Sequence, residues 1–95
     1  MIRITDIKVT PPYNLICRFN SGDIKLLDVL PIIKQHKHLI GIEKLLNEEV
    51  FKKVRIGEFG EIVWDKIVIT EHNGEQICWD YDISPEYAFQ HATDN

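Results

Sequence analysis

Gly41-Ile42-Glu43-Lys44-Leu45-Leu46-Asn47-Glu48-Glu49-Val50-Phe51-Lys52-Lys53-Val54 is the longest helical reading in a chain that otherwise alternates like β-structure. Ile42, Leu45 and Leu46 fall at i, i+3 and i+4, the spacing of one helix face. Val50 and Val54 lie four apart and continue it, but Phe51 points away, so one straight helix would leave a large aromatic in water. Asn47 followed by Glu48 and Glu49 resolves the conflict: a side-chain cap, then acids at the positive end of the dipole. The stretch is therefore predicted to be a short helix, a re-start at Asn47, and a further turn or two presenting Val50, Phe51 and Val54. Such a face needs a sheet to cover, and the flanking segments supply strands.

Upstream, Ile2 and Ile4, then Ile7 and Val9, alternate with a change of phase at Thr5-Asp6, where a bulge is expected. Thr10-Pro11-Pro12 ends this strand because proline cannot donate to a ladder. Leu15, Cys17 and Phe19 then share one face of a strand over Tyr13–Asn20. Asn20-Ser21-Gly22-Asp23 is a tight-turn composition, and Ile24–Val29 returns as the partner strand. Pro31 opens a helical turn, and Lys34-Gln35-His36-Lys37-His38 reads as a polar loop. Downstream, Glu61–Trp64 and Lys66–His72 are strand-like, with Asp65 between them. Asn73-Gly74 is the strongest hairpin signal in the chain. A two-residue loop there places His72 opposite Glu75, Thr70 opposite Ile77, Ile69 opposite Cys78 and Val68 opposite Trp79. Ser84-Pro85-Glu86 starts a short C-terminal helix, cap first and proline at its first position. Thr93-Asp94-Asn95 is expected to fray.

Ninety-five residues make one domain, 1–95, able to bury roughly 60–70% of its unfolded-chain surface. No apolar run reaches the length of a membrane span, and the strand-like, acid-containing start does not read as a signal peptide. Cys17 and Cys78 lie in apolar strand readings without metal or redox spacing, so both are read as small buried hydrophobes of a cytoplasmic protein. Charge is uneven. Residues 1–60 hold ten Lys and Arg against seven Asp and Glu, and residues 61–95 hold one Lys against eight Asp and Glu. An acidic last third is poor equipment for neutralising phosphates, so direct nucleic-acid binding is not expected.

Several phrases, in order and spacing, resemble the small bacterial domain-of-unknown-function family 2442. They are Tyr13-Asn14-Leu15 running into Phe19-Asn20-Ser21-Gly22-Asp23, Asp28-Val29-Leu30-Pro31, the helical phrases of residues 41–54, Val63-Trp64-Asp65, and Asp82–Tyr87. Lys66–Trp79 departs from the family pattern, where the flanking motifs are joined more briefly. The resemblance implies no transferable activity or catalytic residue. It implies a setting in which a small protein pairs with another, in an arrangement similar to toxin–antitoxin pairs.

Candidate chemistry is sparse. His36-Lys37-His38 offers two imidazoles on one strand face, but no Cys or Asp neighbour completes a metal site and Lys37 repels a cation. Asp80 and Asp82 at i and i+2 share a strand face and, with a histidine, offer acid–base work or a divalent-cation site. Against this, Asp82 starts a turn and Asp80 meets a lysine. Trp64 and Trp79 both follow apolar residues and precede Asp; core filling is their ordinary role, and exposure of one as an interface anchor is the alternative. These readings combine into an α+β domain: one antiparallel sheet of five or six strands, the 41–54 helices packed on one face, and a short C-terminal helix. The functional expectation is a non-enzymatic protein-interaction module without cofactors, acting through a protein partner or through self-association at an edge strand. Its candidate surface is Asp65, Trp79, Asp80, Asp82 and Glu86. The alternatives are a small metal-binding protein or enzyme using Asp80, Asp82 and a histidine, and an accessory to a DNA-binding partner.

Overall fold

The computed structural model describes residues 1–95. Strands β1 (Ile4–Thr10), β2 (Asn14–Phe19) and β3 (Ile24–Asp28) form the expected antiparallel meander. The phase change in β1 is a bulge: Ile4 pairs with Phe19, but Asp6 pairs with Arg18. Leu15, Cys17 and Phe19 are all buried, as alternation requires. Helix α1 (Leu30–Gln35) follows, with Pro31 in its first turn and Ile32 and Ile33 turned inward.

The 41–54 stretch breaks where Asn47 stands. Ile42–Leu46 is a 3₁₀ helix and Glu48–Phe51 is the α-helix α2. The Asn47 side chain accepts from the backbone N–H groups of Glu49 at 2.9 Å and Val50 at 3.4 Å. With three residues per 3₁₀ turn, Ile42 and Leu45 eclipse on the buried face, and Leu46 rotates off it to 41% exposure. The re-start at Asn47 turns Phe51 inward. Its ring meets Tyr13 edge-on at 5.6 Å and Trp64 at 5.4 Å, and its carbonyl accepts the Trp64 indole N–H at 2.8 Å. A buried indole thus has its donor satisfied by the helix that covers it.

Strands β4 (Arg55–Ile56), β5 (Ile62–His72) and β6 (Glu75–Ile83) form a second antiparallel sheet, and β7 (Thr93–Asp94) closes the first in the order β1-β2-β3-β7. The single sheet of five or six strands is therefore corrected to two sheets. Beyond its bulge, β1 is joined to the turn before β5 by Ile4 N–H donating to the Gly60 carbonyl at 3.0 Å, and no ladder propagates from β1 to β4. A bulge bends and twists its strand, which is how a sheet is divided at a corner. Asp65 does not separate two strands; β5 is one strand of eleven residues, bulged between Trp64 and Val68. The C-terminus does not fray. Lys25 pairs with Asp94 and Leu26 with Thr93, and an ion pair of 3.3 Å joins Lys25 to Asp94. Helix α3 (Pro85–His91) is capped by Ser84, whose Oγ accepts from Tyr87 N–H at 3.1 Å.

One apolar core joins both sheets, the 3₁₀ helix, α2 and α3, with Trp64, Phe19 and Phe51 its largest fully buried side chains. The Asn73-Gly74 hairpin has the register expected from its turn, from His72 opposite Glu75 to Val68 opposite Trp79. Its distal part runs past this core, and every residue from Thr70 to Asp80 is exposed. The molecule measures 46 × 27 × 21 Å. Its radius of gyration is 13.6 Å, against about 12 Å for a compact chain of this length. The projecting hairpin accounts for the elongation.

Candidate functional site

Three neighbourhoods hold the side chains with chemistry to offer. The first is centred on Arg55, on the outward face of the second sheet. Asp65 takes Arg55 in a fork, with Nε at 3.1 Å from both carboxylate oxygens and Nη2 at 2.8 Å from Oδ1. This hydrogen bonding raises the Arg55 guanidinium and holds the Asp65 carboxyl below its ordinary value. Asp80 lies 3.8 Å from the same guanidinium through Oδ2, while its Oδ1 accepts the Lys66 backbone N–H at 2.9 Å. Lys66 has φ of 52° at the bulge of β5, so Asp80 satisfies a donor that the bulge removes from the ladder. Asp80 therefore meets Lys66 by backbone rather than by ammonium group. Asp82 lies in β6 two residues on, not at the start of a turn. With Glu58, Glu61 and Arg55 it borders a shallow depression of about 360 Å³.

The second neighbourhood is a recess of about 200 Å³ between α1, the end of β6 and α3, lined by Ile32, His36, Tyr81, Asp82, Ile83, Ser84 and Tyr87. His36 Nδ1 lies 2.6 Å from the Tyr81 hydroxyl. Burial, reinforced by Tyr87 and Asp82, pushes the Tyr81 phenol up to about 12, so its proton stays in place at neutral pH. Ser84 Oγ is engaged as a helix cap, and Tyr87 donates to Gln35 Oε1 at 3.2 Å. These are bonds that dock helices onto a strand. No three His, Cys, Asp or Glu side chains converge to hold a metal ion.

The third is the distal hairpin. Trp79 is 52% exposed and Ile77 37%, whereas Trp64 is 1% exposed. Both side chains stand on the same face of β6, since they are two apart, and Asp80 and Asp82 stand on the other. The Trp79 indole N–H donates to Thr70 Oγ1 at 2.7 Å, which fixes the ring across the hairpin. Cys78 is exposed, which corrects its reading as a buried hydrophobe; Cys17 alone is buried. The physical reason is placement: Cys17 faces the shared core, and Cys78 lies where the hairpin has outrun it. In this ladder His72 and Glu75 flank a two-residue turn and exchange hydrogen bonds, as do every second pair below them. The backbone groups of Gln76, Cys78 and Asp80 consequently point away from β5. β6 is the last strand of its sheet, and no backbone bond outside that ladder reaches Glu75–Ile83.

The five residues singled out from the sequence do not share one surface. Asp65 and Asp80 gather at Arg55, Asp82 borders the adjoining depression, Trp79 faces the other way, and Glu86 stands exposed in the first turn of α3. Arg55 as hub and Tyr81 as partner of His36, 45 residues away, were not legible from spacing. Ile77 was missed although it alternates with Trp79 on one face of the strand. No helix is long and apolar enough to cross a membrane. Comparison with protein-family models, with curated proteins and with solved structures finds no match.

Proposed function

We propose that this domain is a non-enzymatic protein-interaction module whose working element is the outer edge of β6. The observation that carries the reading is that edge itself: nine residues without an outer partner strand, presenting Trp79 and Ile77 to solvent. Exposed strand edges are normally blunted by Pro, Lys or bulges. β1, the longer edge of the other sheet, has all three, in Pro11-Pro12 just beyond it, Lys8, and the bulge at Ile4/Asp6. β6 has no Pro, Lys or bulge of its own; its charges are Glu75, Asp80 and Asp82, and Asp80 is engaged by the Lys66 N–H and Arg55. An extended segment of a partner adding there gains main-chain hydrogen bonds from Gln76, Cys78 and Asp80, and an aromatic anchor from Trp79. The resemblance to family 2442 supports a regulatory or toxin–antitoxin-like pairing as the setting, and the projecting hairpin is the segment in which this chain departs from that family.

Cys78→Pro tests the reading. Proline there removes an outward N–H and leaves the β5 ladder its bonds, so the fold is retained. Wild-type protein used as bait in a lysate of its own host should retain a specific protein that the Cys78→Pro protein loses. Recovery of the same proteins by both baits, or of nothing by either, refutes the edge as the working element.

A further inference from the structure

We infer that the strand received by the β6 edge is β6 of a second copy, paired antiparallel about a two-fold axis through Cys78. The inference rests on the interaction reading above and specifies its partner.

Self-complementarity carries it. A two-fold axis through an antiparallel pair places residue i of one copy opposite a residue at the mirrored distance on the other, so each candidate register can be read directly. With the axis at Cys78, the outward-facing backbone groups of Gln76, Cys78 and Asp80 meet their counterparts, as ladder bonding requires. On one face Ile77 stands opposite Trp79 of the second copy, and the reverse, forming two aromatic–β-branched pairs at the close, non-hydrogen-bonded positions. The two apolar side chains that the hairpin leaves in water are thereby covered by each other. On the other face Gln76 stands opposite Asp80, an amide against a carboxylate.

The neighbouring registers leave poorer contacts. An axis at Asp80 sets acid against acid. An axis at Ile77 sets Trp79 against Glu75. An axis at Trp79 sets the exposed Ile77 against Tyr81, which is already buried, and leaves Trp79 facing only its own counterpart. The charge that should keep β6 edges apart is also partly withdrawn, because Asp80 is turned toward Lys66 N–H and Arg55. Contact along one strand is small beside a standard interface, so the dimer should be concentration-dependent, with affinity in the micromolar range.

Purified, reduced protein should shift from monomer to dimer by light scattering over a concentration series. Ile77→Glu, which sets a carboxylate against the electron-rich face of the facing Trp79 ring, should weaken association by about thirtyfold while leaving the circular dichroism spectrum unchanged. Register is read by cross-linking in a Cys78→Ser background. A mixture of Gln76→Cys and Asp80→Cys proteins should form a disulfide faster than either protein alone. Monomer at every concentration up to about 1 mM overturns the inference, as does association that Ile77→Glu leaves intact or cross-linking that is equal in mixed and unmixed samples. A monomer whose Cys78→Pro form loses a different protein sinks the second copy and leaves the interaction reading standing.

Discussion

Gly41→Ala is the substitution that most directly tests how the roofing segment is held. Gly41 has φ of 101°, and a Cβ there would lie 2.1 Å from the backbone oxygen of Ile67, well inside contact at about 3.5 Å. The atom it meets belongs to the bulge of β5, so no side-chain rotation relieves it. The same junction holds Ile69 N–H to the Ile40 carbonyl at 2.8 Å and brings Lys44 Nζ within 3.4 Å of the Ile67 carbonyl. Moving the backbone far enough to admit a methyl group forfeits about 1 kcal/mol of hydrogen bonding. Left-handed strain adds about 1 kcal/mol, and partial loss of Ile42 and Leu45 packing about 1–2 kcal/mol. The expected destabilisation is therefore about 3–4 kcal/mol, or a fall in Tm of about 15–25 °C for a domain of this size. Gly74→Ala is the control. Gly74 also has positive φ, 79°, but nothing lies within 4 Å of its Cβ position, so only the strain of about 1 kcal/mol remains. Urea unfolding followed by far-ultraviolet circular dichroism and tryptophan fluorescence measures both. If the two variants agree within about 0.5 kcal/mol, the close approach of Gly41 to β5 is not what seats the roof.

Phe51→Ala should cost about 3–5 kcal/mol and Phe59→Ala less than about 0.5 kcal/mol in the same assay, because Phe51 is 1% exposed and Phe59 64%. Asn47→Ala should cost about 1 kcal/mol by removing the cap that starts α2. Burial pushes the Cys17 thiol up to about 12 from 9.0, so the folded protein keeps a proton that the unfolded chain gives up. The corresponding stability is full below pH 9 and lost as pH rises toward 12. Cys17→Ala should flatten that part of an alkaline stability profile, leaving the later contribution of Tyr81, whose phenol is raised from 10.0 to about 12. The Asp65 carboxyl is lowered by its bond to Arg55, so its contribution is present above pH 3.8 and lost as pH falls through the folded value. In Arg55→Gln an NMR titration should find the Asp65 carboxyl returned toward 3.8.

The features legible from the residues alone are local. The hairpin register follows from the two φ-positive positions at Asn73-Gly74, the bulge in β1 from a phase change over two residues, and the helix starts from Asn47 and Ser84 facing their own first-turn amides. Each is decided by dihedral preference and hydrogen bonding within a few residues. Which side chains are buried was settled by long-range packing. Trp64 and Trp79 have the same neighbours in kind, an apolar residue before and an aspartate after, yet one lies under α2 and the other in water. Cys17 and Cys78 divide in the same way. The same holds for the division into two sheets, the pairing of β7 with β3, and the meeting of Asp65 and Asp80 at Arg55. Burial is a property of which distant segments arrive over a side chain, and the hairpin beyond Ile69 is where none does.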